Sequence, residues 1–441
     1  MKNFIFCFIL IILNIIPINN IIVLPFEIKS KPKQNLDDVN EYYIYSTFDM
    51  GEPSQKINCE LNFDISDYFM TYTPNNVEPT FNSSLSKTFV HTSRNRISSS
   101  KFKRGFWASE NFYFYTDLEC KNKEKFEAVN VVYPDEENKL AACEIGLQSR
   151  HSFSKYQSIM HVLKSKQIIN NYIWTMKFNS LNNGVIIIGA APHEYDSVRY
   201  NASELKYVNT FSDSDKLYWC LYFKYDPASN YTLSQNIKVR ISPKILGVVA
   251  TYYYLSAVEE LYFKKYYDKK VCEKKIVSFG NSNYFKIICS KEDFTSRDID
   301  QFPSLNLHNI AFNYSFVLNG KELFTEEDDK IEFQILIEIA SSKTEWKLGR
   351  IFLLKYQIVF DDDNSLIGFY KPNIKENNNI GEEIGIIILK VFMLCLAIIV
   401  FLFLAFLFYK KISLLTKRKK MANELEDDFM YVPGRNSKDK Q

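Results

Sequence analysis

The sequence predicts an all-β body carried on one transmembrane helix near its C-terminus. Two observations carry that expectation. Between Glu27 and Asn373, short runs of Ile, Val, Phe and Tyr are broken by Asn, Asp, Gly and Pro, which is the texture of strands and turns. From Val391 to Tyr409 no charged residue occurs, enough to cross a bilayer core of roughly 30 Å at about 1.5 Å per residue.

In chain order, Lys2 precedes the apolar run Phe4 to Leu13, the charged and apolar regions of a secretory leader assigned here to residues 1–24. No small-x-small pattern marks a cleavage site, so a cleaved leader and an uncleaved anchor both stay open. Tyr42-Tyr43-Ile44-Tyr45, Gly184 to Gly189 and Gln357 to Phe360 read as strands. Helices are expected at Ser158–Ile169, with Ile159, Val162 and Leu163 on one face, and at Leu255–Tyr267. The span is placed at Ile384–Tyr409, interrupted only by Gly385 and Lys390. Lys410, Lys411, Lys417, Arg418, Lys419 and Lys420 follow it. Positive charge marks the cytoplasmic side, so a single-pass type I protein of the secretory pathway or cell surface is expected. Its tail, 410–441, becomes polar from Ala422 onward and reads as disordered.

Composition excludes several classes. A formal net charge of +2 over 441 residues offers no bulk attraction for nucleic acid. Of eight cysteines, Cys7 lies in the leader and Cys395 in the span. Cys59, Cys120, Cys143, Cys220, Cys272 and Cys289 remain, an even number in an oxidising compartment. No Cys-x-x-Cys or His-x-x-x-His pair occurs and the five histidines are scattered, so neither a metal site nor a cofactor is expected. Asn82, Asn201, Asn230 and Asn313 begin Asn-x-Ser/Thr glycosylation sequons.

Ordered motifs then carry a resemblance. Gly51-Glu52-Pro53-Ser54-Gln55, Phe81 to Phe89, Ala142-Cys143-Glu144-Ile145-Gly146-Leu147, Gly184 to Tyr195, and Leu205 to Val208 with Tyr218-Trp219 come in succession. The run Trp346 to Asp361, ending in Ile367-Gly368-Phe369, closes the series. Over about Tyr42 to Tyr370 the chain resembles the pepsin-like (A1 family) aspartic proteases. The resemblance implies a bilobal β fold with a substrate cleft, an N-terminal lobe over 25–198 and a C-terminal lobe over 199–375. It also implies a second-lobe disulfide in the region of Cys272 and Cys289. The pairing of Cys59, Cys120, Cys143 and Cys220 stays open among three connectivities.

The family's chemistry needs two carboxylates, one per lobe, that share a proton and activate water; two like charges so close cannot both ionise. Eleven residues after Gly51, where the first Asp belongs, stands Asn62, whose amide has no carboxyl proton to exchange. A two-residue slip would offer Asp64 instead, but Tyr68-Phe69-Met70 fits the family only in the unslipped frame. Ser242 occupies the second Asp position, followed by Pro243 and Lys244, and no carboxylate lies between Asp226 and Glu259. The flap region, Ser98 to Gly105, lacks its tyrosine. A Ser242 nucleophile lacks an evident base and orienter, with His151, His161 and His193 at first-lobe framework positions. The leading expectation is a membrane-anchored pseudoprotease that binds a peptide or protein in the inter-lobe cleft. Two alternatives stand beside it: an active endopeptidase using Asp64 with an unidentified second group, and a structural or adhesive surface protein.

Overall fold

Ile22 to Leu24 are apolar without alternation, whereas Phe26-Glu27-Ile28-Lys29 alternates. A strand with that pattern is buried on both faces at its start and on one face at its end. In the computed structural model Ile22, Val23 and Leu24 are buried and Glu27 and Lys29 exposed. The structure describes residues 21–30, 42–63, 68–72, 80–92, 105–134, 141–147, 158–210, 212–213, 216–217, 219–226, 236–279, 282–339, 345–370, 410–419 and 421. Strand Ile22–Ser30 lies antiparallel between Asn183–Ile188 and Tyr42–Met50, with Ile22 opposite Ile188 and Phe26 opposite Ser46. The leader boundary expected at residue 24 therefore falls inside a sheet strand.

The chain divides into two compact units, Met1–Lys371 and Pro372–Gln441. In the first, thirteen described strands form one mixed sheet and eleven form another. The first sheet takes in strands from both ends of the unit: Leu205–Asn209, Leu366–Tyr370 and Ile358–Asp361 join it, the last beside Ile173–Ser180. The lobe boundary expected at residue 198 thus divides the chain but not its sheets.

Most neighbouring strands are antiparallel, and the parallel pairs are where the site forms. Gln55–Asn62 runs parallel to Ala141–Gly146, in register from Cys59 opposite Cys143 to Asn62 opposite Gly146. In the second sheet Asn236–Ile241 runs parallel to Glu345–Leu348, with Val239 opposite Trp346 and Ile241 opposite Leu348. Parallel strands need a long crossover, whereas antiparallel ones can be joined by a tight turn. Gly51 makes such a turn between Tyr42–Met50 and Gln55–Asn62: its φ is +86°, and a Cβ there would meet Ser86 Oγ at 2.9 Å.

The expected helices form. Ile159–Ser165 is capped by Ser158, whose Oγ accepts from His161 N at 3.2 Å, and it buries Ile159, Met160, Val162 and Leu163. The second helix begins earlier than expected: Tyr252–Val258 continues through a π turn, Glu259–Phe263, into Lys264–Asp268. It buries Leu255, Val258, Tyr262, Phe263 and Tyr266 against Phe294, Phe302, Phe324 and Phe333. Each such ring pair is worth about 0.5–1.5 kcal/mol beyond its burial.

Two disulfides form, Cys59–Cys143 and Cys272–Cys289, the latter directly opposite across antiparallel strands. Among the described residues, Cys120 and Cys220 are in no disulfide. In the second unit, residues 410–419 are helical, with their lysines and arginine exposed. The expected span, Ile384–Tyr409, lies outside the described residues. Among the described residues, no helix is long and apolar enough to cross a membrane.

Candidate functional site

Side chains alternate along a strand, so Cys59 and Leu61 face one way while Glu60 and Asn62 face the other. The first pair is buried in the core, where Cys59 meets Cys143. The second pair makes the candidate site. Parallel register puts Glu144 beside Glu60 and Gly146 beside Asn62, on strands about 4.8 Å apart. Asn62, only 7% exposed, donates from Nδ2 to Oε1 of the buried Glu144 at 2.5 Å. Across the next antiparallel pairing, Tyr45 stands opposite Glu60. Burial, then the Glu60 carboxylate, pushes the Tyr45 phenol up to about 12.

The second sheet reaches into this row. Ser242 follows strand Asn236–Ile241, and its N–H bonds Leu348 O at 2.8 Å. Two residues on, Lys244 Nζ contacts Glu60 Oε1 at 3.0 Å, with both side chains about one-fifth exposed. The structure thus brings Glu60, Asn62, Glu144 and Lys244 into one cluster, a neutral amide and a cation set among two glutamates. Phe63, next to Asn62, packs on Trp174 at a ring distance of 5.8 Å. Trp174 in turn stacks on Phe360 at 4.0 Å, and Trp219 Nε1 donates to Leu147 O at 2.7 Å.

Arg350, after Gly349, is another tie between the sheets. Its guanidinium is fully buried, 4.1 Å over the Tyr42 ring, and Nη1 donates to Leu181 O and Asn182 Oδ1 at 2.9 and 3.0 Å. Burial pulls its pKa below the ordinary arginine value, against the opposing pull of Tyr42.

Asp64, Asn230, His151 and residues 98–104 of the expected flap lie outside the described residues. His161 Nδ1 meets Tyr172 OH at 3.0 Å and His193 Nδ1 meets Tyr370 OH at 2.6 Å, so both have partners away from Ser242. Asn201 and Asn313 are exposed and Asn82 is partly so; Oδ1 of Asn82 and of Asn201 accepts from the N–H two residues on. Among the described residues no group of three or more His, Cys, Asp and Glu could hold a metal ion. A recess of about 660 Å³ beside the π turn is lined by Glu259, Lys264, Tyr267 and the bridged Cys272, and includes neither Asn62 nor Ser242.

Sequence reasoning passed over Glu60 and Glu144. The available signal was a charged residue on each of two strands otherwise built for a core, at Asn-Cys-Glu-Leu-Asn and Ala-Cys-Glu-Ile-Gly.

No sequence family matches the chain, and no curated protein matches it. Solved structures do. Conglutin gamma, a unique basic 7S globulin from lupine seeds, superposes with a TM-score of 0.53 at 11% identity, over 80% of this chain and 95% of that one. An aspartic proteinase from Irpex lacteus gives 0.53 at 12% identity, over 81% and 99%. The basic 7S globulin from soybean gives 0.51 at 13%, over 80% and 97%. The fold is pepsin-like. The sequence motifs lead one to expect catalytic carboxylates at Asn62 and Ser242, and neither residue is an acid.

Proposed function

We propose that this chain is a non-catalytic, membrane-tethered protein of pepsin-like fold that binds a peptide or protein in the cleft between its lobes. One observation carries the reading: the Asn62 amide is committed to Glu144, while Lys244, next to Ser242, lies on Glu60. Acid–base hydrolysis needs two groups that exchange a proton at the working pH. An amide and a hydroxyl beside a cation do not form such a pair. The fold alone is neutral on activity, being shared by a protein named a proteinase and two named globulins. Membrane tethering rests on the uncharged run Val391–Tyr409 and its basic flank.

The test is incubation of the purified protein with a mixed peptide library from acid to neutral pH, with and without a transition-state-mimic inhibitor. Peptide binding without cleavage is expected. Inhibitor-sensitive cleavage would overturn the reading and favour the endopeptidase built on Asp64.

A further inference from the structure

Strand Asn236–Ile241 alternates: Ile237, Val239 and Ile241 are buried in the core, while Lys238 and Arg240 face the other way and are partly exposed. Alternation carries that second face on to Ser242. The parallel neighbour Glu345–Leu348 repeats the pattern, with Trp346 and Leu348 in the core and Glu345 and Lys347 outward. Register sets Lys238 beside Glu345 and Arg240 beside Lys347. One acid therefore balances Lys238. The ladder gives Arg240 and Lys347 none, because their other strand neighbours are Cys220 and Val249. Lys347 takes part in no ion pair among the described residues. Two cations on strands about 4.8 Å apart repel each other and weaken the pairing. An anion seated between them removes that cost. The first sheet differs: Glu60 already holds Lys244, and the buried Glu144 holds the Asn62 amide.

We infer that this face of the second sheet, continuous with Ser242, selects the ligand by charge, and that the ligand is an extended peptide with carboxylates at alternate positions. The inference rests on the peptide-binding reading of the cleft and adds the chemistry that the peptide must carry. Spacing favours a peptide. An extended chain presents every second side chain on one face, about 6.5–7 Å apart, which is also the interval from Lys238 to Arg240 along their strand. One carboxylate meets the Arg240–Lys347 pair, where the planar guanidinium fork matches its two oxygens. The next one along the peptide falls beside Lys238. Partial burial strengthens each pairing relative to open water, and such complementarity sets partner choice and register more than raw affinity.

The test uses the full-length protein in a non-ionic detergent and fluorescein-labelled Gly/Ser peptides that carry Glu, Gln or Lys at alternate positions, read by fluorescence anisotropy. The Glu peptide should bind at least about tenfold more tightly than the Gln peptide, the ordinary worth of one charge-assisted contact, and the Lys peptide most weakly. Added salt should shrink the difference. Equal affinities for all of them overturn the inference and leave peptide binding by the cleft standing. Inhibitor-sensitive cleavage of a preferred Glu peptide does the reverse, ending the non-catalytic reading while the charge preference holds. Lys347→Glu should erase the advantage of the Glu peptide without weakening the Gln peptide, and adding Arg240→Glu should turn it into a preference for Lys. Should these variants not fold, the neutral Lys347→Met takes their place, and an undiminished advantage in it overturns the inference. A heparin oligosaccharide that displaces the Glu peptide and binds more tightly than it does assigns the face to a sulfated glycan and overturns the peptide.

Discussion

Asn62 ends one parallel-paired strand of the first sheet and Ser242 follows one of the second, and their surroundings differ in a systematic way. Matching Gly146 with Gly349 sets Glu60 against Arg240, Glu144 against Lys347, and the Cys59–Cys143 bridge against Val239 and Trp346. One region is acidic and covalently stapled; the other is basic and held by a buried indole. Trp346 packs on Tyr225 and Tyr254 at ring distances of 4.9 and 5.2 Å. The backbone device survives both solutions. What it requires is the glycine after the paired strand: a Cβ on Gly349 would lie 2.3 Å from Ile245 O and 2.4 Å from Gly247 O. The flanking side chains carry opposite charges in the two regions, Glu60 and Glu144 in one and Arg240 and Lys347 in the other.

The comparison can be broken at its strongest point first. Trp346→Ala should destabilise the protein by about 3–5 kcal/mol, the ordinary result of deleting a buried large ring. Removing the matching bridge with Cys59→Ala and Cys143→Ala should lower stability by about 2–5 kcal/mol. Denaturant unfolding of both variants checks this, and a change under about 1 kcal/mol in either would show that the two positions do not play matching structural roles.

A sharper comparison comes from making the acidic region more acidic. Asn62→Asp places a carboxylate on Glu144, and one of the two must then hold a proton to remain together. The folded-state pKa of the pair is raised above its unfolded value. Stability is therefore kept below about pH 4 and lost as the pH rises through the folded value. Relative to the parent, the variant should melt nearly normally in acid and lose on the order of 1–3 kcal/mol at neutral pH. Melting curves across that range decide it, and a pH-independent loss would place the new carboxylate away from Glu144. No peptidase activity should appear, because Ser242 offers no second carboxyl.

The smallest effect tests the row through Tyr45. Its phenol is raised to about 12 by burial first and Glu60 second. Its contribution to stability is complete below about pH 10 and disappears as the pH rises through about 12. Glu60→Gln should shift the Tyr45 ionisation downward by a fraction of a unit in an ultraviolet titration, with Tyr45→Phe identifying the step. An upward shift would show that the two residues do not face each other.

Local pattern made much of the fold legible. Ile159, Val162 and Leu163 fell on one helix face as expected, and the strand texture at Tyr42–Tyr45 and Gly184–Ile188 corresponds to paired strands. The helix at Leu255 was recognised but its start was placed late, because Tyr252 and Tyr253 are exposed and add nothing to an apolar stripe. Less of the site was legible. Glu60 and Glu144 stand 84 positions apart and become neighbours only through parallel register, which no local periodicity encodes. The same pairing decides Cys59–Cys143 and leaves Cys120 and Cys220 outside any disulfide among the described residues. Lys244 was legible only as a residue following Ser242, and its contact with Glu60 depends on how two sheets meet.

Strand Ile22–Ser30 has a consequence for the order of events during synthesis. It is among the first segments to emerge, yet one neighbour, Asn183–Ile188, is made some 160 residues later. At about 5–20 residues per second that is a wait on the order of ten seconds. Through this interval an apolar strand with Ile22, Val23 and Leu24 at its head has Tyr42–Met50 to pair with, joined later by a single contact of Val23 with Tyr115. A chaperone or the translocation machinery must shelter it, and trimming the nascent chain beyond Ile21 would remove the seam on which the later half of the sheet closes.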